Sequence, residues 1–192
     1  MKTIISVPPV IYPISLVSAK FHLRLAADEY SAAAYTAEDN LLTGIIAAAT
    51  GYAESFTRRP LITTTFISYL DAWMAEVLLP FPPLQSVEAF SYTDNDGVST
   101  PFIDYTIDLP GSRVIIDEIP SAALREINPI AITYKAGYGD TEESVPGPIK
   151  QAILLLVGHY YQNREAVVIG ISADDLPQAV DALLWPYREI RW

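Results

Sequence analysis

The chain has 192 residues, of which 51% are hydrophobic, and this length is enough for one domain with a substantial core. It contains no cysteine, which excludes a disulfide scaffold, a thiolate zinc site and a cysteine nucleophile, and which fits a reducing cytoplasm. Its formal net charge of -11, from 12 Lys and Arg against 23 Asp and Glu, argues against a free-standing nucleic-acid-binding protein, because such a protein needs a basic face.

The first residues, MKTIISVPPVIYPISLV, resemble a signal peptide only superficially. Pro8, Pro9 and Pro13 interrupt any apolar helix, and no small-residue cleavage site follows. We expect an extended arm instead, because prolines favour polyproline and β conformations. No apolar run approaches the roughly 20 residues that span a bilayer, so an integral membrane protein is not predicted.

Two helices are predicted after the arm. Ser15 is placed to cap a short helix over LVSAKFHLRL, and a polar, alanine-rich connection, AADEYSAAAYT, follows it. The pattern then predicts a long helix with Thr36 as its N-cap. Apolar residues recur at helical spacing from Leu41 to Phe56, and Pro60 ends the helix.

The next segment has the period of β-strands. LITTTFISYL is rich in β-branched and aromatic residues, and VEAFSY and FIDYTIDL alternate on either side of the turn-rich TDNDGVSTP. A second hairpin is predicted to turn at Pro110 and Gly111, and IAITYKAGYG is the last predicted strand. PFPPLQS suits only an edge strand or a loop. These residues predict a small antiparallel β unit inserted between helical segments.

The last long helix is predicted to begin near Pro148, which suits the first helical position. Its apolar residues surround it almost completely, which indicates a helix that is buried or shared between subunits. The predicted fold class is therefore α+β, with a helical core of a short N-terminal helix, a long second helix and a long C-terminal helix. We expect a single domain made of residues 1–60 (arm and helices), 61–139 (β insertion), 146–166 (C-terminal helix) and 167–192 (C-terminal tail).

Patterns that could belong to an active site each have a plainer explanation. Gly137-Tyr138-Gly139 lacks the third glycine of a dinucleotide fingerprint and is predicted to be a tight exit from a strand. Asp94-Asn95-Asp96-Gly97 fails the calcium-loop spacing, since Tyr105 stands where a bidentate Glu is needed. His22 and His159 have no His or Cys at metal-ligand spacing. The sequence therefore predicts no catalytic, metal-binding or cofactor-binding residues.

Several segments in a fixed order carry a resemblance. They are SLVSAKFHLRL, EDNLLTGIIAAATGYAESFTRRPLITTTF, LPFPPLQSVEAFSYTDNDG, YKAGYGDTEESVPGPIKQAILLLVGHYYQNRE and DALLWPYRE. In this order the chain resembles the head–tail connector (adaptor) proteins of tailed bacteriophages, in their longer variant with a β insertion, which are related to prophage and gene transfer agent adaptors. The chain departs from the pattern in the alanine-rich stretch from Ala26 to Ala37, which makes the first loop longer than usual.

The resemblance implies a protein without catalytic activity or cofactor. It implies a homo-oligomeric ring, commonly dodecameric, that lies beneath the portal protein in the virion neck after synthesis in the host cytoplasm. Such a ring extends the DNA channel, lets DNA pass without specific binding, and gives a docking surface to a downstream stopper or tail-completion protein. Three alternatives stay open: a neighbouring head-completion or stopper protein, a monomeric β-domain binding module, and an enzyme with a carboxylate site in the β unit.

The same resemblance and the residue types suggest three sets of interaction residues. Trp, Tyr and Arg are enriched at interface hot spots, and the C-terminal region of the resembling family is associated with portal attachment. For Trp185, packing back onto the chain's own core is an equally good expectation. For Arg164, a helix-end cation that faces the C-terminal dipole is favoured over an anion-binding residue. The predicted portal-binding residues are Trp185, Tyr187, Arg188, Ile190, Arg191 and Trp192; the predicted subunit-interface residues are Ile149, Ile153, Leu155, Leu156, Tyr160 and Arg164; the predicted channel-lining residues are Asp140, Glu142 and Glu143.

Overall fold

The structure, a computed structural model, describes residues 1–26, 29–163 and 178–190. It contains helices and antiparallel sheets, which confirms the predicted α+β class. Contacts divide the chain into two compact units, one made of Met1–Val10 and Ile62–Tyr138 and the other of Ile11–Leu61 and Gly139–Trp192. The N-terminal arm therefore belongs with the β unit.

The β unit has two sheets. The strands are β1 (Lys2–Val7), β2 (Thr64–Leu70), β3 (Glu76–Leu78), β4 (Leu84–Thr93), β5 (Ser99–Pro101), β6 (Tyr105–Asp108), β7 (Arg113–Ile116) and β8 (Ile130–Ala136). A five-stranded sheet has the order β1-β2-β8-β4-β5, a three-stranded sheet has the order β3-β7-β6, and all pairings are antiparallel. Because buried residues alternate along β2 and β8, one face of the first sheet packs into a core that includes Phe66, Ile132 and Tyr134.

The predicted hairpin that turns at Pro110 and Gly111 is confirmed as β6–β7. The first predicted hairpin was wrong in its second strand: β4 pairs with Ser99–Pro101, inside the predicted loop, and Tyr105–Asp108 of the predicted partner pairs with β7 in the other sheet. Acidic residues hold both turns. The Asp94 carboxylate accepts hydrogen bonds from the backbone N–H groups of Asp96 and Val98, at 3.0 and 2.9 Å. In the β6–β7 hairpin the Asp108 carboxylate accepts from the Gly111 N–H at 3.0 Å and from Arg113 Nε at 2.6 Å. The Gly111 N–H and then Arg113 lower the pKa of Asp108. These two carboxylates therefore make their hydrogen bonds within the turns themselves.

The exit from β8 needs glycine. Gly137 has a φ of 132°, and a Cβ at this position would lie 2.7 Å from the carbonyl oxygen of Ile62. Residues other than glycine rarely adopt this φ, and a side chain here would clash with the Ile62 carbonyl. The Gly-Tyr-Gly pattern is therefore a tight strand exit, as predicted.

The helical unit contains α1 (Leu16–His22), α2 (Glu29–Ala34), α3 (Asp39–Thr57), α4 (Gly147–Gln162) and α5 (Gln178–Leu184). The predicted cap of α1 is confirmed, since the Ser15 hydroxyl accepts from the Ser18 N–H at 3.2 Å. The predicted start of α3 was wrong by two residues: Glu38, not Thr36, is the N-cap. α4 packs against both α3 and α5, which explains why its apolar residues surround it.

The alanine-rich connection, predicted as a loop, contains a short helix. It contains α2, and the buried Lys20 of α1 holds it in place. Lys20 Nζ donates to the carbonyls of Ala32, at 3.0 Å, and Tyr35, and lies 2.6 Å from Asp39 Oδ1. A buried ammonium group needs such partners, so Lys20 fixes the connection to α1 and to the start of α3.

No helix among the described residues has the length and apolar character needed to cross a bilayer. The same residues contain no group of three or more His, Cys, Asp or Glu side chains that could hold a metal ion.

Candidate docking site

The C-terminal end of α3 forms the base of the site. The helix ends where Arg58 adopts the left-handed conformation, with φ 56° and ψ 34°. Glu54, one turn earlier, accepts a hydrogen bond from the Leu61 N–H at 2.9 Å and so fixes the chain that leaves the helix. Burial raises the pKa of Glu54, and the Leu61 N–H opposes that rise. A half-buried carboxylate therefore supports this end of α3.

Helix α5 brings the end of the described chain to this base. Val180 and Leu184 are fully buried, and α5 packs on α4 and α3. The Tyr52 hydroxyl of α3 donates to Asp181 Oδ1 at 3.2 Å. Burial, followed by the Asp181 carboxylate, raises the pKa of Tyr52. Apolar burial thus supplies the main anchor of α5, and one polar contact fixes its first turn.

A polar clamp then holds the residues that follow α5, Trp185–Ile190, which we call the C-terminal segment. Arg59 Nε donates to the Tyr187 carbonyl at 2.7 Å, and Arg59 Nη2 lies 2.6 Å from Glu189 Oε2. The Glu189 N–H donates to the Thr57 carbonyl at 2.8 Å, so it satisfies one of the carbonyls that the end of α3 leaves open. The backbone of the C-terminal segment is therefore fixed on the end of α3.

Aromatic rings and one arginine form the outer part of the site. The Arg188 guanidinium lies 5.3 Å from the ring centroids of both Phe56 and Trp185, within cation–π range. Phe56 and Trp185 also meet edge to face, with centroids 6.3 Å apart. Trp185 and Ile190 are nevertheless each 57% exposed. The segment thus presents apolar and cationic surface to solvent from a fixed backbone.

The predicted portal-binding residues are brought together only in part by what the structure describes. Trp185, Tyr187, Arg188 and Ile190 lie in this one segment, and Trp185 combines contact with its own chain and a large exposed area. Arg191 and Trp192 lie outside the described residues. Their role in docking remains a prediction.

Three of the six predicted subunit-interface residues need correction, and the other three remain predictions. Ile149, Ile153 and Leu156 are completely buried within the chain, and so they offer no surface to a second copy. Leu155 and Tyr160 are half-buried, and burial raises the pKa of Tyr160. Arg164, the sixth residue of this set, lies outside the described residues.

The predicted channel-lining acids lie in one short segment before α4. Asp140 and Glu143 are exposed, and Glu142 is half-buried in the 3-10 turn Glu142–Ser144. The Thr141 hydroxyl, the Glu143 N–H and Lys150 lower the pKa of Glu143, so it is ionised at neutral pH. The segment is thus locally acidic, and its place in a channel remains a prediction.

Arg59, Phe56 and Thr57 were missed as site residues by sequence reasoning. They were assigned to the last turn of a helix, and nothing in the local sequence connects them to residues 185–189. The one available signal was the pair of basic residues directly before Pro60, and cations at a helix end are routine.

Comparison with known proteins gives matches among solved structures alone. No family model matches the chain, and no curated protein matches it. A chain in the virion of a native gene transfer agent particle matches with a TM-score of 0.76 and 26% identity, covering 100% of this chain and 97% of that one. A chain in the neck of an empty gene transfer agent particle, computed with C6 symmetry, matches with a TM-score of 0.75 and 27% identity over 100% and 97%. A chain in the neck of the native particle, computed with C12 symmetry, matches with a TM-score of 0.68 and 26% identity, covering 98% of this chain and 97% of that one.

Proposed function

We propose that the chain is a structural component of the neck of a virion-like particle, and within it the head–tail connector (adaptor) that extends the DNA channel beneath the portal. The observation that carries this proposal is the likeness, over 100% of this chain and 97% of the matching chains and at 26–27% identity, to chains in gene transfer agent virion and neck structures. Both units of the chain are included in that likeness, so it extends beyond a shared core. Structural parts of a particle need no active site, and we propose no enzymatic activity.

The proposed working form is a ring, with twelve copies as the expected number. Two of the matching neck structures were computed with C12 and C6 symmetry, which supports a cyclic arrangement. Because the side chains of Ile149, Ile153 and Leu156 are fully buried, we expect copies to meet through surfaces other than these three side chains. A neighbouring head-completion or stopper protein is the second candidate, because such a protein also occupies a particle neck.

We assign portal docking to the C-terminal segment. Its backbone is fixed by Arg59 before any partner arrives, so little ordering entropy remains to be lost on binding. Exposed Trp185 and Ile190 beside Arg188 are residue types that interfaces use as anchors. Arg191 and Trp192 extend the same chemistry to the chain end.

We expect the channel to repel DNA rather than bind it. Each copy has a net charge of -11, and a ring of such copies has a large negative charge. The exposed Asp140 and Glu143 are the proposed lining groups, since their carboxylates stay charged near a phosphate backbone. Tight binding of purified protein to duplex DNA at physiological salt would contradict this part of the proposal.

Two measurements test the proposal. Cryo-electron microscopy images the necks of particles, and native mass spectrometry measures the mass of the purified chain with and without its portal. The proposal expects a ring in direct contact with the portal, with twelve copies per portal. A ring that contacts only another neck protein would favour the stopper, and a single copy per particle would exclude both assignments.

Docking is tested by two variants that spare the clamp. A chain ending at Glu189 keeps the contacts of Arg59 and loses Ile190, Arg191 and Trp192, and Trp185→Ala removes the exposed ring. Each is expected to weaken portal binding by at least ~2 kcal/mol, about 30-fold in Kd, with melting close to that of the full chain. Unchanged portal binding by both variants would place the docking surface elsewhere.

A further inference from the structure

Strand β1 forms one edge of the five-stranded sheet and pairs with β2 alone. Among the described residues, no other strand lies alongside it. The register places Ile5 opposite Phe66, on the core face, and Ile4 opposite Ile67, on the other face. Ile4 and Ile5 are 41% and 58% exposed, and Val7 is 53% exposed. Both faces of this edge strand are therefore apolar and open to solvent.

The other strands that end a sheet in the described chain, β3, β5 and β6, are shorter than β1. β3 and β5 have three residues each, β5 ends in Pro101, and β6 has four residues. Natural sheets use short edges, prolines and charges to prevent another strand from adding to them. β1 has six residues, its one charge is on Lys2 at the start, and Pro8 follows only after the strand has ended. An edge of this kind is a template for strand addition.

We propose that a neighbouring copy of this chain covers the outer edge of β1, and this inference rests on the ring of the proposed function. In a ring with cyclic symmetry, adjacent copies meet through two different surfaces. The edge of β1 must then meet an edge other than β1 of the next copy. We assign that role to β6, which is longer than β3 and β5 and contains no proline, and which exposed Ile103 and Leu109, at 80% and 44%, flank on either side.

The size of the edge indicates when this contact forms. Six residues at roughly 3.3 Å each give an edge of about 20 Å, and a sheet is about 10 Å thick, so the contact covers on the order of 200 Å². A stable specific interface buries about 800 Å² on each partner. The β1 edge is therefore too small to hold a free dimer. It pairs only where other ring contacts have already placed the next copy beside it.

Hydrogen exchange measured by mass spectrometry tests this directly, because strand addition protects backbone amides. Three samples are compared: the isolated chain, portal with a small fraction of its sites occupied, and portal saturated with the chain. The proposal expects the β1 amides, and those of β6, to exchange at least roughly tenfold more slowly in the saturated sample alone. Protection of β1 at low occupancy would assign the edge to the portal, and unchanged exchange at saturation would leave it uncovered; either result overturns the proposal.

A variant pair gives an independent check. Ile5→Lys places a charge in the middle of the edge, and Ile127→Lys places one at a 70% exposed position of the same unit outside the strands. Ile5→Lys is expected to melt like the wild type and to need at least roughly tenfold more protein to complete the ring, whereas Ile127→Lys completes it normally. Ring completion by Ile5→Lys at wild-type concentration overturns the β1 assignment and leaves the ring itself intact. A wild-type chain that forms no ring on portal overturns the proposed function and this inference with it.

Discussion

The N-terminal strand and the C-terminal segment both expose apolar side chains, yet the chain holds them in different ways. β1 is attached through one row of strand pairing and a 2.7 Å hydrogen bond between the hydroxyls of Thr3 and Ser68. The C-terminal segment is attached through an ion pair, two backbone contacts and a stacked arginine, and it follows a helix with two fully buried side chains.

The difference concerns which groups remain available to a partner. At the C-terminal segment the described backbone contacts and the charge of Glu189 are used within the chain, and what remains is the outer surface of Trp185, Arg188 and Ile190. At β1 the backbone edge itself remains, together with apolar side chains on both faces. The first arrangement suits side-chain docking with little loss of entropy, and the second suits strand addition.

The largest expected effect breaks the anchor of the C-terminal segment. Leu184→Ala removes a fully buried side chain from the end of α5 and is expected to lower the free energy of unfolding by about 2–5 kcal/mol. Leu41→Ala, on the 38% exposed side of α3, is the matched control and is expected to cost under about 1 kcal/mol. Urea titrations followed by circular dichroism measure both. Equal small losses would mean that α5 contributes little to the folded unit.

The sequence predicted the parts of this comparison that depend on local signals. The α+β class, the Ser15 cap and the β6–β7 hairpin follow from residue periods, a capping hydroxyl and turn residues close in sequence. The prolines after Val7 predicted an extended arm. That the arm pairs with β2 did not follow, because strand pairing over more than 50 residues leaves no mark in either segment alone.

The same limit applies to the two sites. The apolar residues around α4 predict a helix that is either buried or shared between subunits, and the pattern of one helix cannot distinguish these cases. In the structure, packing by α3 and α5 covers much of this apolar surface within the chain. The aromatic and arginine residues after Leu184 were found from composition alone. Their partner, Arg59, lies about 130 residues earlier, and its charge gave no indication of which carboxylate it would meet.

The second prediction tests the clamp itself. Arg59→Ala removes the ion pair with Glu189 and the hydrogen bond to the Tyr187 carbonyl, and is expected to cost about 1–3 kcal/mol of unfolding free energy. Arg59→Lys keeps the charge without the forked donor geometry and is expected to cost less. A double-mutant cycle with Glu189→Gln isolates the pair. A coupling energy of zero would mean that contacts other than the Arg59–Glu189 ion pair hold the C-terminal segment in place.

The third prediction uses pH to probe the base of the C-terminal site. Because burial raises the pKa of Glu54 above its ordinary value of 4.5, the folded state binds this proton more tightly than the unfolded state. The contribution of Glu54 to the free energy of unfolding is therefore fully present below about pH 4.5, the ordinary pKa, and is lost as the pH rises through the raised pKa of the folded state. Glu54→Gln keeps an oxygen for the Leu61 N–H and has no charge to bury.

The melting temperature of Glu54→Gln is accordingly expected to exceed that of the wild type at about pH 7, and the gap is expected to close at about pH 4, where both side chains are neutral. Differential scanning calorimetry of the two proteins at both pH values measures the gap. Glu126→Gln, which makes the same chemical change at a solvent-exposed position of the β unit, is the control for a change of net charge. A gap that is the same at both pH values would show that Glu54 is not held in a charge-disfavouring site.

The smallest expected effect is at β1, and it is the one that most sharply separates the two ends. Ile5→Thr keeps a β-branched side chain in the strand and removes apolar surface that is already 58% exposed, so the isolated chain should lose no more than about 0.5 kcal/mol of unfolding free energy. Ile132→Thr makes the same chemical change at a fully buried position of β8, where a lost methyl group and a buried hydroxyl together should cost at least about 2 kcal/mol. Urea titration of both variants as monomers gives the two numbers under one condition. A loss at Ile5 approaching that at Ile132 would place the outer surface of β1 in the core of its own chain, and the N-terminal strand would then be held as firmly as the C-terminal segment, with nothing left for a second copy to cover.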